Sequence, residues 1–249
     1  MNVHLVNPDD KYGRIALQAP TTRGYIHVAA QTCEPSFPFR ANTDTALLEE
    51  LKELAAPLQA HSQVERVSVF RAVGLPPMDR LPYVRDHADS IRIARYDIAL
   101  LIETTDASAL AEVQSTPLYE AVVAYLQTKS MSLHVMTAVN QKRFGEVDVV
   151  RGGLFLFNYF VAKNRETLLE LWEYLADWYR VEMKLDNSLL LVPTHPETSD
   201  YTALNHARFD GNLSGFLAKQ LSKKSFRTYM LANLAAHHIG AMPILYRVV

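Results

Sequence analysis

Short apolar runs with strand character alternate along this chain with longer stretches of helical periodicity. The clearest case lies between Gly153 and Val192. Residues 154–161 are aromatic and β-branched, without Gly or Pro, which is typical of a buried strand. A second strand is predicted at 188–192. Between them, apolar residues recur at three- and four-residue spacing and predict a helix with one buried face: Leu168, Leu171, Trp172, Leu175, Trp178, Tyr179 and Met183.

The same order of elements is predicted in both halves of the chain. Strands are predicted near residues 25–30, 64–73, 96–103 and 132–138, and again at 154–161, 188–192, 201–209 and 242–249. In each half a helix follows the first strand and another follows the third. Each half therefore predicts β-α-β-β-α-β, the split βαβ arrangement. Right-handed crossovers place both helices of such a unit on one face of an antiparallel sheet.

The polarity of the connections predicts the division of the chain. Residues 1–23 form an N-terminal extension, in which residues 14–17 predict a short edge strand, and 24–140 form the first repeat, with a proline-containing surface insertion at 74–95. Residues 141–152 are polar and contain glycine, so they predict a linker before the second repeat at 153–249. The open face of each sheet still needs a cover, and two units in one chain can supply it by packing sheet against sheet.

This order of elements resembles the dimeric α+β barrel superfamily in its fused two-repeat form, over roughly residues 24–249. The resemblance implies an α+β fold of two ferredoxin-like repeats, whose antiparallel sheets pack as a pseudo-dimeric α+β barrel. That superfamily includes cofactor-independent monooxygenases, lactone isomerases, cyclases and haem enzymes of the chlorite dismutase and dye-decolorising peroxidase kind. Its members commonly use the cavity between sheet and helices. None of their specific motifs is matched, so the resemblance assigns no catalytic residue.

Composition narrows the classes of function. The 249 residues carry a net charge of −2, and this near-neutral balance argues against a nucleic-acid partner, which requires a basic face. The single Cys33 excludes an internal disulfide and a cysteine-rich metal site. Neither a signal-peptide pattern nor an apolar run of about 20 residues occurs, so no membrane partner is predicted. We therefore expect a soluble cytoplasmic protein.

The densest polar cluster of the predicted strands lies at residues 205–210. On a strand, His206 and Arg208 point to one face and Asn205 to the other. This pattern predicts a catalytic pair, with His206 as general base and Arg208 as the anchor of an anionic or enolate-like oxygen. The alternative is that Arg208 pairs with Asp210 or another carboxylate at the strand end.

Asn158 is the only amide inside a strongly apolar strand, and with Asn205 it is predicted to bind the ligand. Burying an unpartnered amide costs about 1–3 kcal/mol. Asn158 therefore either orients a ligand or a water molecule, or it satisfies a neighbouring backbone group. His27 and His134 lie in first-repeat strands, where they either face an equivalent cavity or serve as hydrogen-bonded core or surface histidines.

Three hypotheses on function follow. The first is an enzyme that binds a small organic molecule in a barrel cavity, as a cofactor-independent monooxygenase, isomerase or cyclase. The second is a non-catalytic ligand-binding or assembly protein. The third is a haem-binding enzyme with His237 or His238 as ligand, although the main interpretation of these histidines is a structural one, in which the helix dipole favours them at the helix end. No other cofactor and no metal site is predicted, and a homodimer is an open alternative.

Overall fold

Eight antiparallel strands close into one barrel in the computed structural model, which describes residues 3–34, 42–76 and 81–249. The order around the barrel is β1-β3-β2-β8-β5-β7-β6-β4, and β4 pairs with β1 to close it. The strands are β1 (Gly24–Gln31), β2 (Val64–Gly74), β3 (Ile98–Thr104), β4 (Ser132–Gly145), β5 (Leu154–Ala162), β6 (Ser188–Pro193), β7 (Ala203–Phe209) and β8 (Ile239–Val248). The predicted α+β class, in its fused two-repeat form, is confirmed.

Helices cover the outside of the barrel. They are α1 (Thr45–Ala55), α2 (Pro82–Asp86), α3 (Leu110–Gln114), α4 (Pro117–Lys129), α5 (Arg165–Trp178), α6 (Leu213–Ser222) and α7 (Ala232–Ala236). Asn164 caps α5 as its position predicts, because its side chain accepts a hydrogen bond from the Thr167 amide at 2.8 Å. Two π-helical turns interrupt the regular pattern: Tyr179–Met183 continues α5, and Phe226–Leu231 leads into α7. No described helix is long and apolar enough to cross a membrane.

The two halves of the barrel have the same strand order. The first reads β4-β1-β3-β2 and the second reads β8-β5-β7-β6, the order of a ferredoxin-like sheet. Neither half has a free sheet edge, because β2 pairs with β8 and β4 pairs with β6. The chain thus forms within itself the sheet-against-sheet contact that the repeated pattern predicts.

Apolar side chains fill both the inside of the barrel and the layer between strands and helices. The inner set contains large aromatic residues with almost no exposed surface, among them Tyr25, Phe70, Phe157 and Tyr246. The outer face of the first half is aliphatic and packs under α1 and α4. The outer face of the second half packs under α5, α6 and the two π-helical turns, and there the packing leaves a cavity.

The structure differs from several local expectations. Strand β4 continues to Gly145, into the segment predicted as linker, because residues 138–145 pair with β6. The edge strand expected at residues 14–17 is absent from the described elements, which retain one bridge there, between Gln18 and Arg143. The predicted insertion contains the short helix α2, and residues 35–41 and 77–80 lie outside the described residues. The division into domains stays a prediction.

Candidate functional site

A cavity of about 400 Å³ lies between the outer face of the second sheet and the helices that cover it. It lies outside the barrel interior, which is filled by its own side chains, and between sheet and helices, the position that the resemblance implies. Strands β5, β6, β7 and β8 form its floor, and α5, α6 and the two π-helical turns form its walls. Its aromatic lining consists of Phe144, Phe160, Trp172, Tyr179 and Phe226.

Two asparagine amides form the polar part of the floor. Asn158 on β5 and Asn205 on β7 stand directly opposite each other in the antiparallel pair, so their side chains are neighbours. The period-two alternation that carries Asn205 outward carries its neighbours on β7 inward, into the barrel. The rest of the lining is almost entirely apolar, which leaves these amides as the main hydrogen-bonding groups of the floor.

The orientation of the Asn205 amide is fixed by its partners. Its Oδ1 atom accepts hydrogen bonds from Trp172 Nε1 at 2.8 Å and from Ser188 Oγ at 2.7 Å. An indole N–H can only donate, so the oxygen must face Trp172. The amide nitrogen of Asn205 bonds no described residue. It is left as a donor at the cavity floor.

The side chain of Asn158 makes no hydrogen bond with any described residue, and its Oδ1 atom is buried without a partner. On β8 it stands opposite Pro243, which has no backbone N–H to donate. A buried and unsatisfied amide costs free energy unless something else satisfies it. The side chain of Asn158 and the amide nitrogen of Asn205 are therefore neighbouring groups whose hydrogen-bonding capacity is unused.

The predicted catalytic pair lies on the other face of β7 and does not line this cavity. His206 stacks on Phe157 inside the barrel, with ring centroids 4.2 Å apart, and burial lowers its pKa to about 3. Arg208 is 4% exposed; its guanidinium donates to the Gly152 carbonyl and pairs with Asp210. Both side chains thus have internal neighbours, and their catalytic role stays an untested prediction.

His27 and His134 also face the barrel interior. They therefore do not line a cavity of the first repeat, which was one of the two interpretations of their positions. His27 is fully buried beside Phe157 and Tyr159, and burial lowers its pKa well below the usual value. His134 contacts Asp200 through Nδ1 at 3.1 Å, while burial lowers its pKa to about 4. They are core histidines, which is the second interpretation that their sequence positions allow.

The residues that line the cavity do not fit a haem group held by histidine. Neither histidine nor cysteine is among the described lining residues. His237 is directed elsewhere: its Nδ1 atom contacts the Asn233 carbonyl at 2.8 Å, at the end of α7. Within the described residues, no group of three or more His, Cys, Asp or Glu side chains could hold a metal ion.

Several lining residues have roles that the sequence pattern did not reveal. Trp172 is predicted from its spacing as an apolar core residue, yet its N–H fixes the Asn205 amide. Ser188 begins β6, and Gln220 lies on α6 with a buried Oε1 atom that has no partner. No signal along the chain could have found them, since the contact depends on the register of separate strands and helices. The proximity of Asn158 to Asn205 depends on the β5–β7 register in the same way.

Comparison with known proteins gives relatives in structure alone. No family model matches the sequence, and no curated protein matches it. The chain is similar to an anthrone oxidase-like protein, with a TM-score of 0.61, 10% identity and 91% of each chain covered. It is also similar to a proposed monooxygenase from Fusobacterium nucleatum, with a TM-score of 0.52, 11% identity and 91% of each chain covered. At these identities the similarity shows the fold, that of the ferredoxin-like dimeric α+β barrels.

Proposed function

We propose that this protein binds a small, largely apolar carbonyl compound in the cavity of its second half and catalyses its oxygenation. The observation that carries the proposal is the pair of neighbouring amide nitrogens of Asn158 and Asn205, neither of which donates to a described residue, on a largely apolar floor. A cavity of this kind, apolar with a few convergent polar groups, is the usual form of a small-molecule site. The two fold neighbours named above, an anthrone oxidase-like protein and a proposed monooxygenase, support oxygenation.

The chemistry follows from two donors placed side by side. Amide N–H groups that converge on a carbonyl oxygen stabilise the enolate formed when the neighbouring C–H loses its proton. The carbanion then adds to O₂, and the C–O bond forms as carbon is oxidised and O₂ is reduced to a peroxide. Protonation gives a hydroperoxide, which loses water and leaves a new carbonyl group. One oxygen atom stays in the product and the other leaves as water.

A second candidate is binding without turnover. The observation that favours it is the lining itself, in which no described residue is an imidazole or a carboxylate that could take the proton. Tyr179 cannot serve as a base near neutral pH, because burial raises the pKa of its phenol. In the oxygenase, the proton would pass to solvent or to a basic group of the substrate, with the two amides supplying the stabilisation.

Binding is tested with 9-fluorenone, a planar ketone that cannot lose a proton in this way. Trp172 lines the cavity and Trp178 does not, so a Trp178→Phe variant leaves one tryptophan as reporter. Fluorenone should quench its fluorescence, and Asn158→Leu should weaken binding by about three- to tenfold, the effect of one hydrogen bond. The control is Gln127→Leu, the same change of chemistry at an exposed position of α4. Equal affinity in both variants would contradict the site.

Turnover is tested by oxygen uptake with anthrone, measured against the reaction without protein. The oxygenase predicts uptake above that background, lowered by about 10²-fold in Asn158→Leu if its amide stabilises the enolate. Quenching by fluorenone without any oxygen uptake would favour the second candidate, binding without turnover. Asn205 is the poorer position for mutation, because its removal would leave the Trp172 N–H unpaired and destabilise the fold.

A further inference from the structure

The charged side chains on one wall of the cavity are all positive. After Asp210 the chain has no further Asp or Glu side chain, while residues 211–249 include Lys219, Lys223, Lys224, Arg227 and Arg247. The first four lie in α6, in the π-helical turn that follows it, or in the residues that connect them, and these elements close the cavity from outside. This concentration is notable in a chain whose net charge is only −2. It places a positive potential at one side of an apolar cavity.

One of these cations pairs with a carboxylate, another donates to a backbone carbonyl, and a third lines the cavity without a partner. Lys223 pairs with Glu182 at 2.9 Å, and Lys219 donates to the Met183 carbonyl at 3.0 Å. Arg227 is exposed and lines the cavity, and its side chain forms neither an ion pair nor a hydrogen bond with any described residue. Leu221, which is 59% exposed, also lines the cavity, so these two residues connect its lining with solvent. Arg227 therefore presents an unused guanidinium beside the entrance.

We propose that the ligand is an aromatic carboxylate, whose carboxylate binds Arg227 at the opening while its carbonyl reaches the amides of Asn158 and Asn205. This inference rests on the proposed function, and it adds the class of ligand. A guanidinium presents a planar set of donors that matches a carboxylate, and such charge-assisted bonds exceed neutral ones in strength. No described lining residue is a carboxylate that would compete for Arg227 or repel the ligand.

The test compares 9-fluorenone-2-carboxylate with its methyl ester, which has the same ring system and ketone but no charge. The acid should bind the unmodified protein about five- to tenfold more tightly than the ester at low salt. Arg227→Gln should remove this difference and leave the affinity for the ester unchanged. Lys163→Gln is the matched control, because Lys163 is an exposed cation of the same half that does not line the cavity. It should keep the preference for the acid, and raising the salt concentration should reduce that preference in the unmodified protein.

The outcomes separate the two proposals. Equal binding of acid and ester, or a preference that survives in Arg227→Gln, would overturn the assignment of a carboxylate ligand. In either case, a ketone affinity that still falls in Asn158→Leu would leave the proposed function standing. If neither compound binds, or if binding is insensitive to Asn158→Leu, the proposed function fails and the inference fails with it.

Discussion

The buried histidines of the barrel interior give the protein a specific dependence on pH. The pKa of His206 is lowered to about 3 by burial, while the same side chain in the unfolded chain titrates near its ordinary value of about 6.5. Between these values the unfolded state binds a proton that the folded state does not. Folding is therefore penalised as the pH falls below about 6.5, and the penalty from His206 reaches about 2 kcal/mol at pH 5.

We predict that His206→Phe flattens the fall in unfolding free energy between pH 7 and pH 5 by about 2 kcal/mol. Phenylalanine keeps the stacking on Phe157 and removes the titrating group. Chemical denaturation at both pH values measures the change. The control is His195→Phe, since His195 lies on the surface with 71% of its side chain exposed and should leave the pH dependence as it is. A slope that His206→Phe does not alter would show that His206 stays accessible to protons in the folded protein.

At the scale of elements, the N-terminal segment packs against the helical turns that line the cavity. Tyr12 and Ile15 are each 6% exposed and join the core of the second half. The Tyr12 hydroxyl donates to Glu182 at 2.9 Å, its ring packs on Tyr229, and these partners belong to the two π-helical turns. The segment thus connects both irregular turns that shape the cavity.

Two substitutions in this segment distinguish the observed packing from the predicted edge strand. Residues 15 and 17 would share a face in a strand, but in the structure Ile15 is buried and Leu17 is 42% exposed. Ile15→Ala should lower the free energy of unfolding by about 2–4 kcal/mol, as in other buried aliphatic truncations. Leu17→Ala should change it by less than about 0.5 kcal/mol, as is usual for exposed positions. Denaturant titration of both variants provides the measurement, and similar losses would favour the strand.

At the scale of the whole molecule, the barrel is closed by contacts between its halves. The ladders β2–β8 and β4–β6 join strands from different repeats, and each half buries the inner face of the other. Because one chain completes the barrel, closure needs no second copy, and a homodimer stays a separate prediction. The connection between the halves carries Val150, which is 87% exposed and therefore marks a place where the chain can be interrupted.

We predict that the chain split between Val150 and Arg151 reassembles from its two co-expressed parts. Each part alone leaves an apolar sheet face and two strand edges unpaired, so it should aggregate or unfold. Together they should elute as a 1:1 complex with the circular dichroism and thermal midpoint of a folded protein. A split between Gln141 and Lys142 is the control, because it divides β4 within its ladder to β6 and should prevent assembly. Two parts that fold independently as monomers would contradict this account of the barrel.

Local signals in the sequence were sufficient to predict most of the fold. Apolar runs of period two and helical spacing depend on neighbouring residues alone, so the eight strands and their order in two repeats could be predicted from them. The Asn164 cap is local in the same sense. The end of β4 was misplaced, because residues 141–145 are polar and become a strand through pairing with β6, a contact distant in sequence.

Only part of the candidate site could be predicted from such local signals. Asn158 is recognisable in the sequence as an amide in an apolar strand, and alternation places Asn205 on the face opposite to His206. Which face of β7 looks into the barrel and which looks into a cavity is decided by packing, because the sequence pattern places polar residues on both faces. The residues that complete the site, Ser188, Gln220 and Arg227, come from elements far apart in the chain.

The sequence by itself determined the elements and their repetition, because these follow from the periodicity of burial along the backbone, and the order of elements implied the α+β barrel by resemblance. Tertiary structure alone decided that side chains fill the barrel interior, while a cavity remains between the second sheet and the helices that cover it. That difference depends on how side chains of separate elements fit together in volume. It also determines that Asn158, Asn205 and Arg227 line one cavity, since strand register and helix packing bring the three residues together.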